Sequence, residues 1–211
     1  MSKKIYVWDR FIRIFHWSLV LLFLTSYLTG ENEHWFHIYS GYAIASLLCL
    51  RLVWGFIGSK YAKFNNFTLS PNKIIQYIKD LIKGRSKQHL GHNPLGGLMV
   101  IMLLVNLFII VFSGLKLYAV EEGKGPLAGV NNIQIESVIY ADHSDEDEQN
   151  KHSYEEDDEG KYEEELWEEI HEAAVTIMIF LIFLHLLGAV ISTRIYKESL
   201  VKAMITGYKE R

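Results

Sequence analysis

Four apolar stretches dominate this chain, and each is long enough to cross a lipid bilayer: Phe11–Leu28, Phe36–Ile57, Pro94–Leu117 and Ile170–Ile191. No water is available in hydrocarbon to satisfy backbone N–H and C=O groups, so such stretches must be helical or part of a closed barrel. Runs of about 20 apolar residues without strand alternation select the helix. The expected fold class is therefore all-α: an integral membrane four-helix bundle. A cleaved signal peptide is the rival reading of the first stretch, but Tyr27-Leu28-Thr29-Gly30-Glu31 is a poor cleavage site.

The charges orient these spans. Residues 1–13, 58–93 and 192–211 hold 16 of the 21 Lys and Arg residues, and all three fall on one side of a four-span topology. The connections 29–35 and 119–169 hold 20 of the 25 Asp and Glu residues, on the other side. The positive-inside rule then expects a multi-pass protein of the bacterial cytoplasmic (inner) membrane, with both termini in the cytoplasm and the acidic loop in the periplasm. The whole of 1–211 reads as one membrane domain carrying an acidic, flexible insert at 131–165. From Asp142 to Glu165 acids dominate, which predicts disorder or the solvated start of a helix. His143 and His152 flank DEDE there, without the ligand spacing of a metal site.

Within the 58–93 connection, Ile74, Ile75, Ile78, Leu81 and Ile82 recur at helical spacing, after Pro71 and before Gly84. This predicts a short amphipathic cytoplasmic helix, lying on the inner leaflet or packed against the bundle. The single cysteine, Cys49, can form no intrachain disulfide, and there is no C-x-x-C-H, which excludes covalent c-type haem attachment. Nothing in the composition points to nucleic acid.

Four histidines lie in or at the edges of the spans: His16, His37, His171 and His185. Ionisable groups at such depth are costly and default to function. A lone histidine there is more often hydrogen-bonded packing, but these four have matched depths. His171 and His185 are fourteen residues apart, which puts them on one helix face about 21 Å apart along the axis. Following the chain back and forth pairs His16 with His185 at one level and His37 with His171 at the other. Bis-imidazole pairs across two helices suit the two faces of a haem iron. Zinc would want four ligands, and no Cys, Asp or Glu accompanies either pair in the membrane.

Cationic partners for haem propionates complete the reading. Arg51, fourteen residues after His37, should reach the level of the inner pair, and Arg13 precedes His16 on the same face. Arg10 reads better as snorkelling to headgroups, and Lys116 fits either role. His34, His89 and His92 rank below the four as ligands. Gly96, Gly97 and Gly114 allow close approach of a macrocycle or a neighbouring helix.

Val7-Trp8-Asp9-Arg10-Phe11 through Phe15-His16-Trp17, then His37-Ile38-Tyr39-Ser40-Gly41-Tyr42, resemble the bacterial cytochrome b561 / nickel-hydrogenase b-type cytochrome family. So do Arg51-Leu52-Val53-Trp54-Gly55-Phe56-Ile57-Gly58, Gly91-His92-Asn93-Pro94 and Val201-Lys202-Ala203-Met204-Ile205-Thr206-Gly207. The likeness covers nearly the whole chain except the acidic insert. It implies a four-helix cytochrome with two haem b groups, the first and second helices each giving one axial ligand and the fourth giving two. Those positions match His16, His37, His171 and His185. It also implies transmembrane electron transfer, commonly between quinol and a periplasmic or enzyme-bound redox partner. That makes the chain an electron-transfer protein or a component of a quinone-linked oxidoreductase. The alternative is a membrane-anchoring b-type subunit of a hydrogenase or related dehydrogenase. A metal-ion transporter is a third reading, disfavoured by the lack of intramembrane carboxylates. The acidic loop could dock a basic partner such as a c-type cytochrome.

Overall fold

The computed structural model describes residues 4–30, 34–67, 70–85, 89–128 and 149–210, with backbone only at His34, 149–160 and Glu210. The elements, in chain order, are strand β1 (Lys4–Tyr6), α1 (Arg10–Thr29), α2 (His34–Ile57), α3 (Pro71–Ile82), α4 (Pro94–Glu122), α5 (Gln149–Tyr196), α6 (Leu200–Thr206) and strand β2 (Tyr208–Glu210). Helices α1, α2, α4 and α5 are each long and apolar enough to cross a membrane. The fold is thus all-α with four membrane-spanning helices. Their outward faces carry Leu21, Phe56 and Phe183 at 65%, 72% and 62% exposure, a surface that requires lipid rather than water.

The chain divides into two compact units, Met1–Leu107 with Met178–Arg211, and Phe108–Ile177. Helices α4 and α5 contribute residues to both. In the first unit α1 packs along α2, and Ile12, Phe15, Ile44, Leu48, Leu107, Met178 and Leu181 are buried. In the second, Ser113, Ala119 and Ala174 are buried.

The basic end of the first unit is capped by a cluster that joins the two ends of the chain. β1 and β2 pair antiparallel, with Ile5 opposite Lys209 and Tyr6 opposite Tyr208. Val7 and Trp8 donate their backbone N–H groups to the Gly207 carbonyl at 2.9 and 3.1 Å. Val7, Trp8, Ile12, Ala62 and Ala203 form the buried cluster beneath. Lys209 is also buried, ion-paired to Glu198 at 3.6 Å. Burial pushes its ammonium below the usual lysine range, and Glu198 partly restores it.

Gly207 ends α6 in the left-handed region, φ 88°. A Cβ there would lie 2.8 Å from the Trp8 carbonyl oxygen and 2.7 Å from Cε2 of Tyr6. Strain and clash add, so Gly207→Ala is expected to destabilise the protein by about 2 kcal/mol or more. Thermal unfolding of the detergent-solubilised protein checks this. An unchanged midpoint would mean that the end cluster carries little of the stability.

Asp9 caps α1, its side chain accepting from Ile12 N–H at 2.8 Å. The other carboxylate oxygen accepts from Trp54 Nε1 at 3.2 Å and from the Ser59 hydroxyl. One side chain therefore ties the start of α1 to the end of α2 and the loop beyond it.

The expected amphipathic helix is present as α3, with Pro71 in its first turn and Gly84 at φ 64° after its end. Tyr77 is buried and its hydroxyl meets that of Tyr196 at 3.1 Å, while Ile75, Ile78 and Ile82 stay exposed. α5 begins at Gln149 rather than near Ile170. Glutamates are good helix formers and suit the N-terminal side of a helix dipole, so nothing stops the helix from running on through the acidic tract. His143 lies outside the described residues, as does the side chain of His152.

Candidate functional site

Helices α1 and α5 bring His16 and His185 together in the first unit. Their ring centroids are 6.4 Å apart and their planes cross at 48°. A metal–imidazole bond of about 2.0 Å, plus about 1 Å from nitrogen to ring centre, counted on both sides, asks for about 6 Å. The separation of the pair would fit two imidazoles holding one iron. Nδ1 of His16 is buried without a hydrogen-bond partner, and the Trp17 ring stands edge-on to the imidazole at 5.2 Å.

α2 carries Arg51 into the same unit at 3% exposure. Its Nη2 donates to the Ala62 carbonyl at 3.2 Å, and the guanidinium lies 4.8 Å from the Phe64 ring centre. Among the described residues Nη1 is buried with no partner. A buried guanidinium N–H left unsatisfied is costly, and an anionic group would satisfy it. A haem propionate has that chemistry.

Arg13 is used differently. Its Nη1 donates to the Ile205 carbonyl at 2.6 Å and its Nε to the Asp9 carbonyl at 3.4 Å. It also borders an open groove lined by residues of α1 and α6.

His92 packs between the rings of Trp8 and Phe67, at 4.7 and 4.8 Å. Burial, aided by the positive charges of Lys209 and Arg51, pushes its pKa down to about 3. It is a neutral packing histidine at physiological pH. His89 meets the Tyr77 ring at 5.7 Å, and its carbonyl accepts from Lys209.

The remaining two site histidines are each oriented through Nδ1. In the first unit His37 Nδ1 lies 2.9 Å from the Ser26 carbonyl oxygen. A carbonyl only accepts, so the proton sits on Nδ1 and the lone pair on Nε2. In the second unit His171 Nδ1 lies 3.0 Å from Oγ of the fully buried Ser113, whose hydroxyl reaches the Ile109 carbonyl at 2.8 Å. If the hydroxyl donates to that carbonyl, its oxygen accepts from Nδ1–H, giving His171 the same tautomer. This is the usual arrangement behind a metal-bound imidazole. Gly114 completes the setting: a Cβ there would be 3.0 Å from His171 Cε1. Lys116 lies over the Trp167 ring at 5.8 Å.

The geometry thus joins His16 to His185, while His37 belongs to the first unit and His171 to the second. Among the described residues no three His, Cys, Asp or Glu side chains cluster as metal ligands. Reading the sequence missed Ser26 and Ser113. For Ser113 a serine in an apolar helix was the available signal, but serines also bond their own helix backbone, as Ser113 does, and the Ser26 carbonyl is main chain with no side-chain signal.

The family described as prokaryotic cytochrome b561 matches residues 7–207. A probable Ni/Fe-hydrogenase B-type cytochrome subunit of Azotobacter chroococcum is 27% identical over 60% of this chain and 65% of its own length. Proteins with the same description from Rhizobium leguminosarum and Rhodobacter capsulatus are each 22% identical, over 99% and 98% of this chain and 91% and 81% of theirs. No solved structure matches the chain significantly. The family match runs from the buried Val7 to the left-handed Gly207 and takes in all four membrane helices and all four site histidines, so the chain belongs to the prokaryotic cytochrome b561 family.

Proposed function

We propose that this protein carries electrons across the membrane through two b haems, one held by His16 and His185, the other by His37 and His171. The observation that carries the reading is the 6.4 Å separation of the His16 and His185 rings, in a unit that also buries an unpartnered guanidinium N–H of Arg51. Bound haem supplies one-electron iron chemistry. The chain's own residues ligate, orient and tune. His16 and His185 would hold the iron of one haem. Ser26 and Ser113 fix the outer imidazoles by accepting from Nδ1, which raises their basicity as ligands. Arg51 would pair with a propionate and, as a fixed positive charge, favour the reduced state. The apolar spans exclude water and lower the dielectric around both sites.

The redox partners follow from the setting. A lipid-soluble quinone and a soluble or enzyme-bound acceptor are the classes a transmembrane carrier would join. The names of the relatives favour a Ni/Fe-hydrogenase as the enzyme-bound partner, with this chain as its b-type membrane subunit. The distribution of Lys and Arg supports cytoplasmic termini and a periplasmic acidic loop.

Haem extracted from the purified protein tests the reading. About two haem b per chain are expected, with a reduced-minus-oxidised spectrum of six-coordinate low-spin iron. A folded protein from a haem-sufficient host that stays colourless would remove it. Co-purification with a hydrogenase would separate the subunit reading from a free-standing quinol-linked cytochrome.

A further inference from the structure

The open groove beside Arg13 is not used by the electron-transfer reading. It lies between the first turns of α1 and the end of α6. Arg10 and Arg13 form its polar rim, and Ile14, Trp17 and Leu21 continue down α1 as its apolar floor, opposite Ile205. Ile14 and Leu21 are each 65% exposed, so the floor opens onto the lipid-facing surface of a membrane helix. Among the described residues no acid lines the groove.

Both guanidinia have donors without partners among the described residues. Among the described residues Arg10 has no hydrogen-bond or ion-pair partner. Arg13 commits two of its five donors, to Ile205 and Asp9, and those bonds hold its fork at the groove edge. An arginine that merely snorkels keeps its head in water. Here one of the two is braced by α6. A cationic rim above an apolar floor with a tryptophan between them has the polarity sequence of one ligand class, an anionic headgroup on acyl chains.

We propose that this groove is a specific site for an anionic phospholipid. Arg10 and Arg13 bind its phosphate, and Ile14, Trp17 and Leu21 take its chains. This moves Arg13 from the haem propionates to the lipid and leaves Arg51 as the arginine of the haem site. The proposal does not depend on how many haems the protein holds.

Native mass spectrometry of the detergent-solubilised holoprotein tests it, with phosphatidylglycerol and phosphatidylcholine of equal chain length as probes. Wild type should retain one phosphatidylglycerol, preferred over phosphatidylcholine by about tenfold or more. Arg10→Gln removes no protein contact, so its haem content should stand while the preference falls about fivefold. Arg10→Lys, which keeps the charge but not the fork, should fall between. Lys73→Gln, the same charge change on α3, should have no effect. An equal loss in Lys73→Gln would reduce the preference to diffuse electrostatics and overturn the proposal. So would an unchanged Arg10→Gln, or displacement of the lipid by excess inorganic phosphate or by a quinone.

Discussion

His185→Ala is expected to cost the protein the haem proposed between His16 and His185, with the loss seen in extracted haem and in the α-band of the reduced spectrum. The side chain stands 6.4 Å, ring to ring, from His16. Removing it would leave a haem held there short of one ligand, with a cavity where the imidazole was. A single metal ligand contributes more than the 10- to 100-fold in affinity typical of its hydrogen-bonding partners, so partial occupancy at micromolar haem is expected to collapse. Free imidazole should restore part of the six-coordinate spectrum by filling that cavity. Phe183→Ala, two residues away on the lipid-facing surface, should leave haem content unchanged. Full haem loading with an unaltered spectrum in His185→Ala would end the assignment. His16→Ala should reproduce the phenotype of His185→Ala, since each removes one face of the same site.

Asp9→Ala is expected to lower stability by about 3 kcal/mol, the second large effect. About 1 kcal/mol is the lost cap of α1, whose Ile12 N–H has no other acceptor in the first turn. The rest comes from Trp54 Nε1 and the Ser59 hydroxyl, which lose their acceptor in a partly buried setting. Asp9→Asn keeps a cap and an acceptor, so it should lose less than half as much. The midpoint of thermal unfolding in detergent measures both. Equal midpoints for wild type and Asp9→Ala would show that water replaces the carboxylate without cost.

Asp9 also shows where the sequence was readable and where it was not. The four spans were legible because hydropathy in a bilayer acts on each helix separately, and the ends of α1, α2 and α4 fall close to the expected ones. The levels of His16 and His185 followed from helix rise and chain direction alone. An aspartate ahead of an apolar run signals an N-cap, yet its bonds to Trp54 and Ser59 join positions some fifty residues away. The β1–β2 ribbon was not legible: its three-residue strands lie at opposite ends of the chain, and strands so short carry no periodic signal. The bond from Arg13 to the Ile205 carbonyl was no more legible: it joins α1 to α6 and leaves no mark in the local sequence. His37 and His171 stand between these cases, since the pattern singled out the histidines but not the Ser26 carbonyl and Ser113 hydroxyl that they meet.

The ribbon has a consequence for biosynthesis. β1 leaves the ribosome first, but its partner strand follows only after α5 and α6 have been made. Val7 and Trp8 therefore have no Gly207 carbonyl to bond, and no Ala203 to pack on, while the membrane helices are being inserted. The end cluster can close only on a chain translated through its last described strand. A polypeptide truncated after α5 would carry His16, His37, His171 and His185 yet leave β1 without its partner strand, so its amino-terminal segment would lie open to proteases.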